Sequence, residues 1–304
     1  MAGRGLIRRP GQRRVHRSDR LGAPDRRRGR PLRNEFVTVG GVRLHYEDSG
    51  TGDAVVLVAG TAAAGRTWRL HQVPALVAAG YRAITFDNRG VAPSDPAGPG
   101  LTVEDLVADT AGLIERLVGG PCRLIGSSMG AHVVQELLLA RPELATQAVL
   151  MAGRGRPDAF SRALAAAERS LYDERVRLPP GYDAAVRALQ NLSPRTLLDE
   201  QAVQDWLDLF EMAAPDVTDA AVRPQLDVDV DTDRLGAYRR ISTPTLVVSF
   251  ADDLVAPAAR GRELAAAIPG ARYVEIRDAG HYGYLEQPEA VNAAVLDFFA
   301  GRTA

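Results

Sequence analysis

From residue 34 onward the chain alternates between short apolar runs and longer segments with helical periodicity. Residues 36–39 and 42–46 place β-rich segments on either side of Gly40-Gly41, the pattern of two half-buried strands joined by a tight turn. Residues 54–59 and 82–86 are nearly unbroken apolar runs, too short for helices, and predict strands covered on both faces. Further strands are predicted at 123–125, 148–151, 245–250 and 273–276. Periodicity predicts helices over 67–79, 102–118 and 129–140, then near 258–268 and 288–299. Thr102 with Asp105 three positions on approximates a capping box, Gly119-Gly120 closes that helix, and Pro142 stops the next.

Strands alternating with helices predict an α/β fold with a doubly wound, mostly parallel sheet of about eight strands. Residues 154–240 break the alternation, with helical patterns and turns but no strand pattern, and are read as a helical lid insertion. The expected organisation is a leader over 1–33, a core over 34–153 and 241–304, and the lid over 154–240.

Composition alters this picture in two places. With 304 residues, 46% apolar and 25% charged, the chain can bury a sizeable core as one domain with an inserted lobe. All 37 basic residues are arginine, which carries little functional weight, but they are unevenly spread. Residues 1–33 hold 12 arginines against Asp19 and Asp25, a net of +10, which leaves residues 34–304 at −11. The arm is read as a disordered leader or as sequence upstream of the working start; binding to nucleic acid or anionic lipid ranks below that, and a transit peptide, for want of serine, last. A single cysteine, Cys122, excludes an intrachain disulfide. The arm lacks the apolar stretch of a secretory signal, and no window approaches 18 uninterrupted apolar residues, so a cytoplasmic location is expected.

The strongest chemical signal is Gly126-Ser127-Ser128-Met129-Gly130, set between a predicted strand and an apolar helix. It fits the G-x-S-x-G nucleophile elbow, in which a sharp strand-to-helix turn pushes a serine hydroxyl out of the sheet and glycines on either side relieve crowding. A serine hydroxyl is a weak nucleophile without an adjacent base. Of the five histidines, His16 lies in the arm, His45 on an early strand, and His71 and His132 on helices; His281 sits in a loop after a late strand, where the order serine, acid, histidine puts the base. The acid is expected just past the penultimate strand, where Asp252 and Asp253 are both candidates, each with a turn or helix-capping role as its alternative.

From 36 to 299 the chain resembles the α/β-hydrolase superfamily of esterases, cofactor-free haloperoxidases and carbon–carbon hydrolases. Asp253-Leu254-Val255-Ala256-Pro257 matches the family's D-x-V-x-P, and the resemblance thereby selects Asp253 over Asp252. Gly280-His281 followed by Glu286-Gln287-Pro288 resembles its G-H-x-x-x-x-E-x-P ending, and Asp87-Asn88-Arg89-Gly90 its D-x-R-G turn. Two positions depart: Ala59-Gly60-Thr61 stands where the family has His-Gly, and Ala92 where a further glycine is usual. The resemblance implies an oxyanion hole from the backbone N–H groups of Thr61 and Met129. Serine rather than aspartate at 128 argues against epoxide hydrolase and haloalkane dehalogenase chemistry.

The expected activity is therefore hydrolysis of an ester, thioester or related carbonyl through an acyl-enzyme, with Ser128 as nucleophile, His281 as base and Asp253 orienting it. A lyase, synthase or cyclase using the same three residues, and a small-molecule receptor with little turnover, are the competing readings. No metal or organic cofactor is expected, since the sequence holds no Cys/His ligand cluster and no dinucleotide-type glycine loop. The expected partner is a small acyl substrate, nucleic acid ranks low, and monomer and homodimer are left open. Trp206, Phe210 and Met212 are apolar residues of the lid whose packing between helices is favoured over facing a pocket, and Trp68 is read as packing.

Overall fold

The structure, a computed structural model, describes Met1 and residues 33–213, 221–228 and 232–302. Apart from Met1 and Arg33, the leader expected over 1–33 lies outside the described residues. Eight strands form one sheet: β1 (Arg33–Val39), β2 (Val42–Gly50), β3 (Ala54–Val58), β4 (Arg82–Phe86), β5 (Cys122–Ser127), β6 (Ala145–Met151), β7 (Thr245–Phe250) and β8 (Arg272–Ile276). Their order is β1-β2-β4-β3-β5-β6-β7-β8. The β1–β2 hairpin turns at Gly40 and Gly41, both at positive φ, and β2 lies antiparallel on β4. All remaining pairs are parallel.

Parallel strands need crossovers, and helices supply them: α1 (Gln72–Ala78), α2 (Val103–Leu117), α3 (Met129–Ala140), then α4 (Ala159–Asp173), α5 (Pro180–Asn191), α6 (Pro194–Leu198), α7 (Glu200–Met212) and α8 (Leu235–Tyr238) between β6 and β7, and finally α9 (Ala258–Ala267), α10 (Gly283–Glu286) and α11 (Pro288–Phe299). Alternate side chains of each strand go to opposite faces. Val56, Val58, Leu124, Leu150 and Val247 pack with α2, α3 and α9 on one face. Val55, Leu57, Ile125, Val149 and Val248 pack with α1 and α11 on the other. Each such side chain, fully buried, contributes about 1.5–3 kcal/mol of transfer free energy, so the unbroken apolar runs are what two covered faces require.

Residues 67–79 are not one helix. A 3-10 turn at Gly65–Arg69 is followed by α1, which begins only at Gln72. Pro74 has no N–H, and its ring bars a helical carbonyl four residues back at Leu70, so it is tolerated only in a first turn. The capping box at the head of α2 is formed, with the Thr102 hydroxyl accepting from the Asp105 N–H at 3.2 Å and the Asp105 carboxylate accepting from the Thr102 N–H at 3.0 Å.

Between β6 and β7 the described residues contain helices and turns and no strand. Ala184, Ala188, Leu192 and Phe210 of α5, α7 and their connection form a small core of their own. Trp206 stacks on Phe210 at 5.4 Å, both lean on Tyr282, and Met212 is exposed. Trp68 is fully buried against Tyr284. Bidentate ion pairs tie neighbouring elements together: Arg82 with Asp48, Arg89 with Asp109, Arg156 with Glu263 and Arg234 with Glu136. No helix among the described residues is long and apolar enough to cross a membrane.

The strand order reverses between β3 and β5, since the chain leaves β3 toward β4 on one side and returns to β5 on the other. In open parallel sheets the crevice outside the carboxyl ends at such a point is where ligands bind. The loops after β3, β5, β6, β7 and β8 all leave from that edge.

Candidate active site

Ser128 follows the last residue of β5 and caps α3 with φ 55° and ψ −121°, a conformation that a residue with a Cβ rarely adopts. Its N–H is held by the Met151 carbonyl at 3.0 Å, and its own carbonyl accepts from Ala131 and His132 in the first turn of α3. The two flanking glycines are required by contact: a Cβ on Gly126 would come within 2.3 Å of the Gly130 carbonyl oxygen, and one on Gly130 within 2.1 Å of the Val58 oxygen. The elbow therefore presses α3 directly against β3 and β5, and this closeness forces the serine outward.

The Ser128 hydroxyl lies 3.0 Å from His281 Nε2. The opposite ring nitrogen, Nδ1, donates to Asp253 Oδ2 at 2.8 Å. Asp253 is 3% exposed and fully engaged, its Oδ1 accepting from the Val255 and Ala256 N–H groups at 2.8 and 2.7 Å. With one oxygen held by two backbone N–H groups, the other is fixed toward the ring and sets its tautomer. Asp252, the other sequence candidate, uses its backbone N–H to hold Ala279 and points no carboxylate at the ring. Glu286 steadies the histidine loop from behind: its Oε2 accepts from the Gly280 N–H at 2.6 Å, while Oε1 accepts from Ser193 and Thr196 at the start of α6.

Thr61 and Met129 line the same cavity as Ser128. Met129 is the first residue of α3, so its N–H has no carbonyl within the helix and lies at the positive end of the helix dipole. The loop carrying Thr61 is pinned at both ends: Asn88 Nδ2 donates to the Ala59 carbonyl at 3.1 Å, and the Ala62 N–H donates to Gln225 Oε1 at 2.8 Å. Gln225 is 1% exposed and also donates to the Arg89 carbonyl at 2.6 Å, so a single side chain from between β6 and β7 clamps the Thr61 loop to the Asp87–Gly90 turn. In that turn Gly90 occupies φ 95°, whereas Ala92 is not in the left-handed region, which is why alanine is accepted where the family has glycine.

The cavity at Ser128 measures about 120 Å³ and is roofed by Ser161, Leu164, Ala165 and Glu168 of α4 and by Gln225, Leu226 and Val228. Its floor includes Ala152, Arg154, His132 and Val255. Burial pushes the Glu168 carboxyl above the usual range, partly opposed by the nearby His281. His132, read from sequence as a core or surface residue, lines the cavity and bonds Tyr238 through Nδ1 at 3.2 Å. Arg154, Glu168 and Gln225 were not legible as site residues. Arg154 follows the end of β6, and the rule that ligands meet loops at carboxyl ends could have flagged it, but nothing local marks Glu168 or Gln225. No cluster of three or more His, Cys, Asp or Glu suited to a metal is present among the described residues.

A sheet of this order with a serine elbow after β5 and a histidine after β8 defines an α/β-hydrolase. A model of the alpha/beta hydrolase family matches residues 55–294, and the chain belongs to that family. It is 53% identical over 259 residues to BpoC of Mycobacterium tuberculosis strain H37Rv, a protein provisionally named a non-heme bromoperoxidase, covering 85% of this chain and 98% of that one. The crystal structure of BpoC matches with a TM-score of 0.82, at 51% identity, over 89% of this chain and 98% of that one. At greater distance, 31% identity over 295 residues relates the chain to a 2-hydroxy-6-oxononadienedioate/2-hydroxy-6-oxononatrienedioate hydrolase of Paraburkholderia xenovorans strain LB400, over 88% of this chain and 95% of that one. A thermophilic esterase from Thermogutta terrifontis matches in structure with a TM-score of 0.74 at 28% identity, over 88% of this chain and 98% of that one.

Proposed function

We propose that the protein is a serine hydrolase in which Ser128 attacks the carbonyl carbon of an ester or thioester. His281 takes the hydroxyl proton through Nε2, and Asp253 keeps the ring in the Nδ1–H tautomer and stabilises the imidazolium. The N–H groups of Thr61 and Met129 receive the charge that develops on the carbonyl oxygen. The leaving alcohol or thiol departs with the proton from His281, and a water deprotonated by the same ring releases the acid from Ser128. The observation that carries this reading is the unbroken line of hydrogen bonds from the Ser128 hydroxyl through both nitrogens of His281 to Asp253, at 3.0 and 2.8 Å. The esterase from Thermogutta terrifontis is a relative whose named activity agrees with it. Helices α4 to α7 act as a lid, with α4 over the cavity and α6 tied to the histidine loop through Glu286.

A second reading, cleavage of a carbon–carbon bond with the same residues, is favoured by the Paraburkholderia xenovorans relative. Product analysis separates the two. The test of the first is labelling with a fluorophosphonate probe and mapping of the adduct. A covalent adduct on Ser128, lost in Ser128→Ala together with roughly a thousandfold or more of the turnover of 4-nitrophenyl acetate, is the expected result. Folded protein that forms no adduct, or forms it at another residue, defeats the proposal.

A further inference from the structure

Arg154 stands apart from the partly buried arginines around it. Arg156, Arg234 and Arg260 are each bonded to a carboxylate, at Glu263, Glu136 and Asp158 respectively. Arg154 has no carboxylate within 4.0 Å among the described residues, and its one hydrogen bond is a long one, from Nη1 to the Val255 carbonyl at 3.4 Å. Taking a guanidinium out of water without a counter-charge is costly, so a half-buried arginine left in this state is one whose partner arrives from outside.

Its position says where that partner sits. Ser127 and Met151 are register partners on adjacent parallel strands, so the chain leaves the sheet toward Ser128 and toward Arg154 side by side. Adjacent strands lie about 4.8 Å apart, and Arg154 comes three residues after Met151. Both Arg154 and Ser128 line the 120 Å³ cavity, and so does Val255, whose carbonyl holds the guanidinium. The other ionisable groups of the wall do not compete for it. Glu168, the carboxyl that lines the cavity, is shifted toward its neutral form by burial, and Glu136, behind the wall on α3, is bonded to Arg234 and Tyr238.

We infer that Arg154 is an anion subsite of the acyl pocket and that the substrate carries a carboxylate a few carbons from the carbonyl attacked by Ser128. The inference rests on the hydrolase reading above for the identity of the attacked group, but not for the binding of the anion. A guanidinium offers two parallel N–H donors that match a carboxylate, and a charge-assisted pair of this kind is the strong class of hydrogen bond. A cationic substrate is disfavoured, because it would meet Arg154 as a like charge and Glu168 as a carboxyl that burial holds back from ionising. A purely aliphatic acyl chain would fill the space and leave the guanidinium unpaired.

The test compares two esters of equal acyl length, mono-4-nitrophenyl glutarate and 4-nitrophenyl pentanoate, with 3-carboxy-4-nitrophenyl pentanoate as a third substrate that carries the charge on the leaving group. The readout is the ratio of kcat/KM for a charged ester to that of the neutral one, in the unaltered protein and in Arg154→Met and Arg154→Lys. The ratio should fall about ten- to a hundredfold in Arg154→Met and recover in part in Arg154→Lys. A response to glutarate places the anion on the acyl side, and a response to the third ester alone moves it to the leaving group, overturning the acyl-side assignment. Equilibrium binding of the glutarate ester to Ser128→Ala and to the Ser128→Ala/Arg154→Met double variant repeats the comparison without turnover. A protein that binds the charged ester through Arg154 but neither hydrolyses any ester nor takes the fluorophosphonate refutes the hydrolase reading and leaves the subsite standing. Equal ratios and equal affinities with and without the guanidinium, in variants that retain the native thermal unfolding transition, refute the subsite.

Discussion

Replacing Asp253 by asparagine tests the site at its most constrained point. Asp253 Oδ1 accepts two backbone N–H groups, at 2.8 and 2.7 Å, while Oδ2 accepts the proton on His281 Nδ1 at 2.8 Å. An amide has one oxygen and one NH₂, so it cannot accept on both sides. With its NH₂ toward the loop it would face two donors, leaving two buried N–H groups unpaired at about 1–3 kcal/mol each. With its NH₂ toward the ring it faces one nitrogen, which can give up its proton. The second orientation wins, and the histidine proton moves to Nε2, 3.0 Å from the Ser128 hydroxyl. That nitrogen then donates to the serine and cannot take its proton. The expected result is a fall in kcat of about 10³- to 10⁴-fold, or roughly 4–5.5 kcal/mol on the barrier. Fold and substrate binding should be nearly intact. Steady-state hydrolysis of 4-nitrophenyl acetate, with Ser128→Ala as the floor and thermal unfolding as the control, measures it. Asp252→Asn should change kcat by less than about threefold, since its carboxylate does not meet the ring. Should Asp253→Asn keep more than a tenth of the native rate, or Asp252→Asn be the more damaged, the tautomer argument fails.

Three further outcomes follow from the geometry. Gln225→Met frees both the Ala62 N–H and the Arg89 carbonyl, so kcat should fall about ten- to a hundredfold with KM within about twofold, because the Thr61 N–H is set by that loop; loss of stability with an unchanged kcat would make Gln225 a structural clamp only. Gly130→Ala sets a Cβ 2.1 Å from the Val58 oxygen and should lower Tm sharply and abolish turnover, whereas Gly98→Ala, with nothing within 4 Å, should leave Tm within about a degree or two; similar effects from both would contradict the packing described at the elbow. Cys122 is buried and its thiol is pushed up to about 12, so at pH 8 it stays protonated, and a chromogenic disulfide reagent should react with it only after unfolding; rapid reaction in the native state would contradict its burial.

The parts of this molecule that were readable in the sequence are those whose cause is local. The strand at Ala54–Val58 is an apolar run because both of its faces are covered, and the Gly-x-Ser-x-Gly turn is spelled out by residues whose contacts lie within or beside the turn. Strand order placed His281 and the Asp252-Asp253 pair at one edge of the sheet, since both segments follow strands, but choosing Asp253 within the pair took the resemblance to the family's D-x-V-x-P pattern. The break at Leu70-His71 could have been read from Pro74, which periodicity alone outvoted. Gln225 and Glu168 were not readable, because their meaning depends on which loops the segment between β6 and β7 folds onto, and no spacing in 154–240 encodes that. His132 shows the same limit from the other side: a helical histidine in an apolar setting looks like packing until the cavity beside it is seen.

Every fork that ties the elements of this fold together is built on guanidinium, and the chain has no side-chain amine at all. Arginine stays charged and is a poor nucleophile toward activated acyl groups, whereas the deprotonated fraction of a lysine attacks them. The ion pairs that frame this fold are thus ones that an activated acyl group would not erode. The same absence leaves glutaraldehyde no side-chain amine to bridge.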